Sequence, residues 1–172
     1  MGTSTEAQPP MMKVEPQKEH QWLNKLLGEW TSEMEMETEP GKREKFTGTD
    51  SVRTLDGIWF IAEGQSDTSG GDAGSSDSVM TLGYDPQRKR YVGTFIASMM
   101  THLWIYEGEL DADERVLTLN SEGPSMTEEG KMAQYRDAIE FRSDDHRLLT
   151  SHVLAEDGSW QHMMTAEYRR KK

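Results

Sequence analysis

The segment Leu26-Leu27-Gly28-Glu29-Trp30-Thr31-Ser32-Glu33-Met34-Glu35-Met36-Glu37 decides the fold. In an extended chain Trp30, Ser32, Met34 and Met36 share one face, and Thr31, Glu33, Glu35 and Glu37 share the other. That is a half-buried strand with one dry and one wet side. Upstream the period changes. Trp22, Leu23, Leu26 and Leu27 fall on one side of a short helix that starts near Pro16, a good first-turn residue, and Gly28 is placed to end it.

Downstream, nearly every segment is short, alternates, and is punctuated by turn residues. The candidate strands are Trp30 to Glu37, Lys45 to Leu55, Ile58 to Gly64, Val79 to Tyr84, Tyr91 to Met99, His102 to Leu110, Arg115 to Ser121, Tyr135 to Phe141, Leu148 to Ala155 and Trp160 to Tyr168. Between them, Glu39-Pro40-Gly41-Lys42, Asp56-Gly57, Asp85-Pro86-Gln87-Arg88-Lys89 and Glu156-Asp157-Gly158 have hairpin chemistry. The expected fold is all-β: a single antiparallel up-and-down β-barrel of about ten strands with a short N-terminal helix plugging one end. Closure removes the exposed edges of so long a meander. Two connections break the rhythm. Ser66 to Ser78 is mostly Gly, Ser and Asp without a bulky packing residue, and reads as a flexible loop; Glu122 to Met132 holds Gly123-Pro124 and Glu128-Glu129-Gly130 and reads as a second loop.

A chain of 172 residues fits one domain. Residues 16–172 are read as the barrel, and residues 1–15, polar and without period, as a disordered tail. There is no Cys, which excludes disulfides and thiolate chemistry and suits a reducing compartment. No basic start followed by an apolar run is visible, and no stretch reaches membrane-spanning length, so a cytoplasmic protein without membrane association is expected. The net charge of -12 argues against nucleic acid, and the basic cluster Arg169-Arg170-Lys171-Lys172 reads as a solvated end. Only 34% of residues are hydrophobic, yet five Trp and 12 Met supply large apolar side chains.

Several motifs together resemble a known family. They are Leu27-Gly28-Glu29-Trp30, Leu82-Gly83-Tyr84-Asp85-Pro86 followed by Arg90-Tyr91-Val92-Gly93-Thr94-Phe95, then Trp104, Glu107-Gly108 and Glu167-Tyr168-Arg169-Arg170. The chain resembles the bacterial lipocalin-like family catalogued as domain of unknown function 1579. The resemblance implies a calycin-type barrel whose members lack an established activity. In lipocalins a Trp in the first strand packs at the closed end beneath an Arg or Lys of the last strand. Trp30 matches the first position, and Arg169 is the nearest candidate for the second, with Arg170 as the alternative. Strict alternation puts Arg169 on the face opposite Trp160, His162, Met164, Ala166 and Tyr168, so a bulge near Thr165 is needed to bring it in.

No phosphate-cradling loop, nucleophile elbow or helical His-Glu-x-x-His motif is present. The histidines are more informative. With Gly158 left-handed in a three-residue hairpin, His152 lies opposite His162, and Leu154 opposite Trp160; a loop one residue longer pairs His152 with Met163 instead. Two imidazoles on an interior face could hold a metal or flank a haem, but a dedicated site needs further ligands, so no metal and no cofactor is expected. The residues expected to line a cavity are Met34, Met36, Trp104, Tyr106, His152, Trp160, His162 and Met164. The functional expectation is an intracellular binder of a small apolar or amphipathic molecule. Two alternatives stay open: an enzyme or haem/metal barrel using interior His152 and His162, and a self-associating module that forms a homodimer through its outer sheet.

Overall fold

The computed structural model describes residues 13–68 and 75–172. Helix α1 spans Lys18–Leu23 and runs into a 3-10 turn, Asn24–Leu26. Ten strands follow: β1 Gly28–Glu39, β2 Lys42–Leu55, β3 Trp59–Thr68, β4 Ser75–Asp85, β5 Arg90–Ala97, β6 Trp104–Leu110, β7 Val116–Pro124, β8 Met132–Ser143, β9 His146–Leu154 and β10 Trp160–Arg170. Each pairs antiparallel with its sequence neighbours, and β10 returns to pair with β1, which closes the barrel. The expected up-and-down barrel with an N-terminal helix is the fold.

Local chemistry sets the corners. Between β2 and β3, Asp56 and Gly57 both adopt left-handed backbone, with φ of 50° and 75°, and the Ile58 amide closes the turn on the Leu55 carbonyl at 3.0 Å. Two left-handed residues in succession match the twist of the paired strands. After β4, the Asp85 carboxylate accepts the amides of Gln87 and Arg88 at 2.9 and 3.3 Å, turning the chain into β5.

The strands run further than alternation alone suggested. Residues expected in the 66–78 loop belong partly to β3 and β4, because a polar strand in a closed ladder still satisfies its backbone. The rest of that loop, 69–74, and the tail through residue 12 lie outside the described residues. The second expected loop shrinks to residues 125–131 for the same reason. The helix is shorter than the apolar pattern implied, with Leu27 already extended at ψ 141°.

The helix seals one end of the barrel. Leu23 is fully buried and Trp22 nearly so, and the Trp22 indole donates to the Glu114 carbonyl at 2.7 Å across the β6–β7 turn. Tyr91 donates its hydroxyl to the Glu19 carbonyl at 3.1 Å. Leu117, Leu119, Ile139 and Phe60 form the buried layer around this end.

Trp30 sits beneath it, fully buried, with its indole donating to the Leu26 carbonyl at 2.8 Å. Its cationic partner is Arg170, whose guanidinium lies 4.2 Å from the ring centre. The assignment to Arg169 is therefore corrected. Arg169 is exposed and faces Glu167 at 3.7 Å on the outer surface. The bulge in β10 lies between His162 and Met164, earlier than the position near Thr165 that Arg169 requires, and from Met164 onward the pairing with β1 is unbroken. Plain alternation therefore keeps Met164, Ala166, Tyr168 and Arg170 on the inner face and leaves Arg169 on the outer one. Arg170 also donates to the carbonyls of Leu27, Lys25 and Asp144, so it satisfies the end of the helix as well as stacking on Trp30.

These contacts set an expected contrast. Arg170→Ala removes a partly buried cation–π contact and several charged hydrogen bonds, and should lower unfolding free energy by about 1–3 kcal/mol. Arg169→Ala should change it by under ~0.5 kcal/mol. Urea unfolding of the two variants checks this, and equal losses would refute the assignment.

Candidate functional site

The barrel encloses a cavity of about 500 Å³. Its floor is Leu26, Val52, Phe60, Leu82 and Ile139, next to the sealed end. Met34, Phe46, Ala62, Met80, Phe95, Leu149 and Ala166 line the walls, and Met36, Met99, Met100, Met126 and Met163 gather toward the opposite end. Met side chains adapt to irregular apolar shapes at little cost. Trp104 lies flat over Gly123, where any side chain would collide with its ring. The same indole donates to the Met100 sulfur at 3.0 Å and meets Tyr135 edge-on at 5.0 Å.

Of the residues expected to line a cavity, Met34, Met36, Trp104, Tyr106 and Met164 do so. His152, Trp160 and His162 do not. The pairing is as read, with His162 opposite His152 and Trp160 opposite Leu154, and the imidazole centres are 5.3 Å apart. Their face is the correction. On β9 the inward residues are Arg147, Leu149 and Ser151, so His152 points outward, and the β10 bulge turns Met163 and Met164 inward and His162 and Trp160 outward. On that outer wall Trp160 stacks under Arg136 at 4.1 Å, and His162 Nε2 lies 2.7 Å from Thr165 Oγ1. Burial, then the neighbouring His162 and Arg136, hold the His152 pKa below its usual value. An interior haem or metal held by this pair lacks the required geometry. Among the described residues, no group of three or more His, Asp or Glu side chains could hold a metal ion.

The polar part of the cavity was not among the expected residues. Asp137 Oδ2 accepts the Tyr106 hydroxyl at 2.7 Å, and Oδ1 accepts the Ser151 hydroxyl at 2.6 Å. Nearer the floor, Arg147 Nη2 donates to Asp50 Oδ2 at 3.3 Å while its guanidinium lies 3.9 Å from the Tyr168 ring centre and 4.7 Å from that of Trp30. Arg147 Nε is buried without a hydrogen-bond partner among the described residues. Such a donor in an apolar wall is costly and calls for an acceptor. A signal for these residues existed: Asp50, Asp137 and Arg147 occupy the inward phase of their strands beside Val52, Ile139 and Leu149.

Burial pushes the Asp137 carboxyl above the usual carboxylate range, opposed by the Ser151 and Tyr106 hydroxyls. Burial raises Asp50 likewise, against the pull of Arg147. The Tyr106 phenol is driven up by burial and by Asp137. A carboxyl whose folded pKa is raised favours the fold most at pH below its unfolded value of 3.8, and that contribution is lost as pH rises through the folded value. Asp137→Asn should therefore raise the thermal midpoint at pH 7 by more than at pH 4, where the native group is more protonated. Melting curves at the two pH values check this, and a larger gain at pH 4 would contradict it.

The likenesses to known proteins bear on the barrel as a whole. An S-type phycobiliprotein lyase, CPES, from Guillardia theta is similar in structure, with TM-score 0.57, 11% identity, and coverage of 88% of this chain and 92% of the lyase. Rv2717c from M. tuberculosis is similar with TM-score 0.61, 14% identity, and coverage of 92% and 100%. At these identities the shared feature is the fold. No curated protein matches the chain. The family model described as "Protein of unknown function (DUF1579)" matches residues 15–170, and the chain belongs to that family.

Proposed function

We propose that this protein binds one small, mostly apolar molecule inside its barrel, in the cytoplasm, without turning it over. The carrying observation is the cavity of about 500 Å³, walled by Met, Phe, Leu and Ala and holding a few converging polar groups. A space of that size and lining suits a small organic ligand, since apolar walls supply affinity and sparse polar groups supply orientation. The polar groups are Tyr106, Asp137, Ser151, Asp50 and Arg147. The sealed floor directs entry to the end rimmed by Met99 and Met126, both exposed. The absence of Cys supports the compartment, and no helix among the described residues is long and apolar enough to cross a membrane.

Native mass spectrometry of protein purified from its own cells should show a retained small molecule. With the neutral dye Nile red the stripped protein should bind one equivalent. Ala62→Trp, which places a large ring in the cavity, should weaken that binding by more than about tenfold, or roughly 1.4 kcal/mol, with an unchanged β-type far-ultraviolet spectrum. Undiminished dye binding in a folded Ala62→Trp variant would place the dye elsewhere and remove the support.

One observation favours a second reading, self-association through the outer sheet. Ile96, Leu103 and Ile105, 48%, 51% and 64% exposed, lie close together on β5, β6 and the loop between them. Exposed apolar patches of this kind mark contact surfaces. Sedimentation velocity should then report a dimer that Ile105→Lys converts to monomer. A monomer at all concentrations would dismiss this reading.

A further inference from the structure

The cavity wall holds two carboxylates, Asp50 and Asp137, and one guanidinium, Arg147. Arg147 is engaged by Asp50. Asp137 has no Lys or Arg against it among the described residues. The groups that face it are Tyr106 on β6, Ser151 on β9 and, further off, Tyr168 on β10; His152 acts on it only from the outer side of β9. A carboxylate in a mostly apolar cavity without a countercharge is unfavourable unless something completes it.

We propose that the molecule held in the barrel carries a protonated amine at one end of an apolar body, and that Asp137 receives this amine. The inference rests on the binding function proposed above and names the ligand class. Tyr106 and Ser151 each donate to one carboxylate oxygen, so the donors that hold the ionised acid once a cation arrives are already in place. That fixes the plane of the carboxylate and leaves further acceptor capacity on both oxygens. Charge decides against the opposite ligand. A bound carboxylate would set three anions against one guanidinium, whereas an ammonium balances the two acids and one base already present. In the empty barrel burial favours the neutral acid. An amine arriving uncharged takes that proton and both groups become ionic; one arriving charged displaces the proton to water.

The test uses the full chain and three probes with the same alkyl body, decylamine, decanol and decanoate, titrated calorimetrically at pH 7. Decylamine should bind one to one, at least about tenfold tighter than decanol, with decanoate weakest. Asp137→Asn should abolish the preference, bringing decylamine to the level of decanol measured on the same variant. Glu35→Gln, which removes the same charge from the outer surface, should leave the amine preference intact. Should Asp137→Asn fail to fold, the Tyr106→Phe, Ser151→Ala double variant reads the same point: without the two hydroxyls that hold its charge, the acid ionises less readily and the ratio of decylamine to decanol affinity should fall. Decanoate binding tightest, an amine preference that survives Asp137→Asn, or an unaltered preference in the double variant would overturn the proposal. Equal binding of all three probes, or of Nile red and none of the three, overturns the amine and leaves the apolar binder standing. Failure of every probe, Nile red included, removes both.

Discussion

Two guanidinium groups lie against the ring of Trp30, and the closed end of the barrel is organised around that contact. Arg170 approaches from the last strand and holds the carbonyls of Lys25 and Leu27 where the helical segment ends. Arg147 approaches from β9 and reaches across to Asp50 on β2. One indole thus ties the first strand, its two neighbours and the helical plug. Like charges converging on one ring would repel, and the acids set beside them, Asp50 for Arg147 and Asp145 for Arg170, offset this. With that end fixed, the space above it becomes a cavity with a floor rather than a channel.

The cavity departs from the packing that makes barrels stable. A barrel filled by its own side chains would gain dispersion energy along every strand, and here much of that is forgone. The polar groups on its wall add a second cost, since Asp50 and Asp137 are both held where ionisation is disfavoured. Costs of this kind concentrate where a protein meets a ligand. The sealed floor, by contrast, keeps its large side chains fully buried, so stability and vacancy are segregated along the barrel axis.

The sequence made the barrel legible because alternation is a short-range signal. Trp30, Ser32, Met34 and Met36 announce their strand without reference to any other, and Asp56-Gly57 announces its turn. The pairing of His152 with His162 is one of two registers the last hairpin offers, and it is the one formed. What alternation could not supply is the extra residue in β10. A bulge leaves no mark in composition, and across it every face reverses, which is why the histidines were read as interior. Arg169 as the partner of Trp30 requires a bulge nearer the end of β10, and the pairing with β1 runs unbroken there. The polar wall was missed for a different reason. Asp50, Asp137 and Arg147 sit in phase with apolar neighbours, and an acid in phase with Val or Ile carries information only once the closed barrel shows that this phase has no solvent to face.

The bulge at Met163 also says something about the descent of such barrels. Deletion of that single codon would leave β10 with two incompatible demands. If Arg170 kept its place on Trp30, the strand's far half would rotate and carry Trp160 and His162 across the wall into the interior, while the alternation of β9 would keep His152 outside. If the far half held, the guanidinium would leave the indole and the closed end would loosen. The interior chemistry of this architecture is therefore set in quanta of one residue, and a lumen that β10 lines with thioethers and one that it lines with His162 and Trp160 are neighbours in sequence space, separated by a length change rather than by accumulated substitutions.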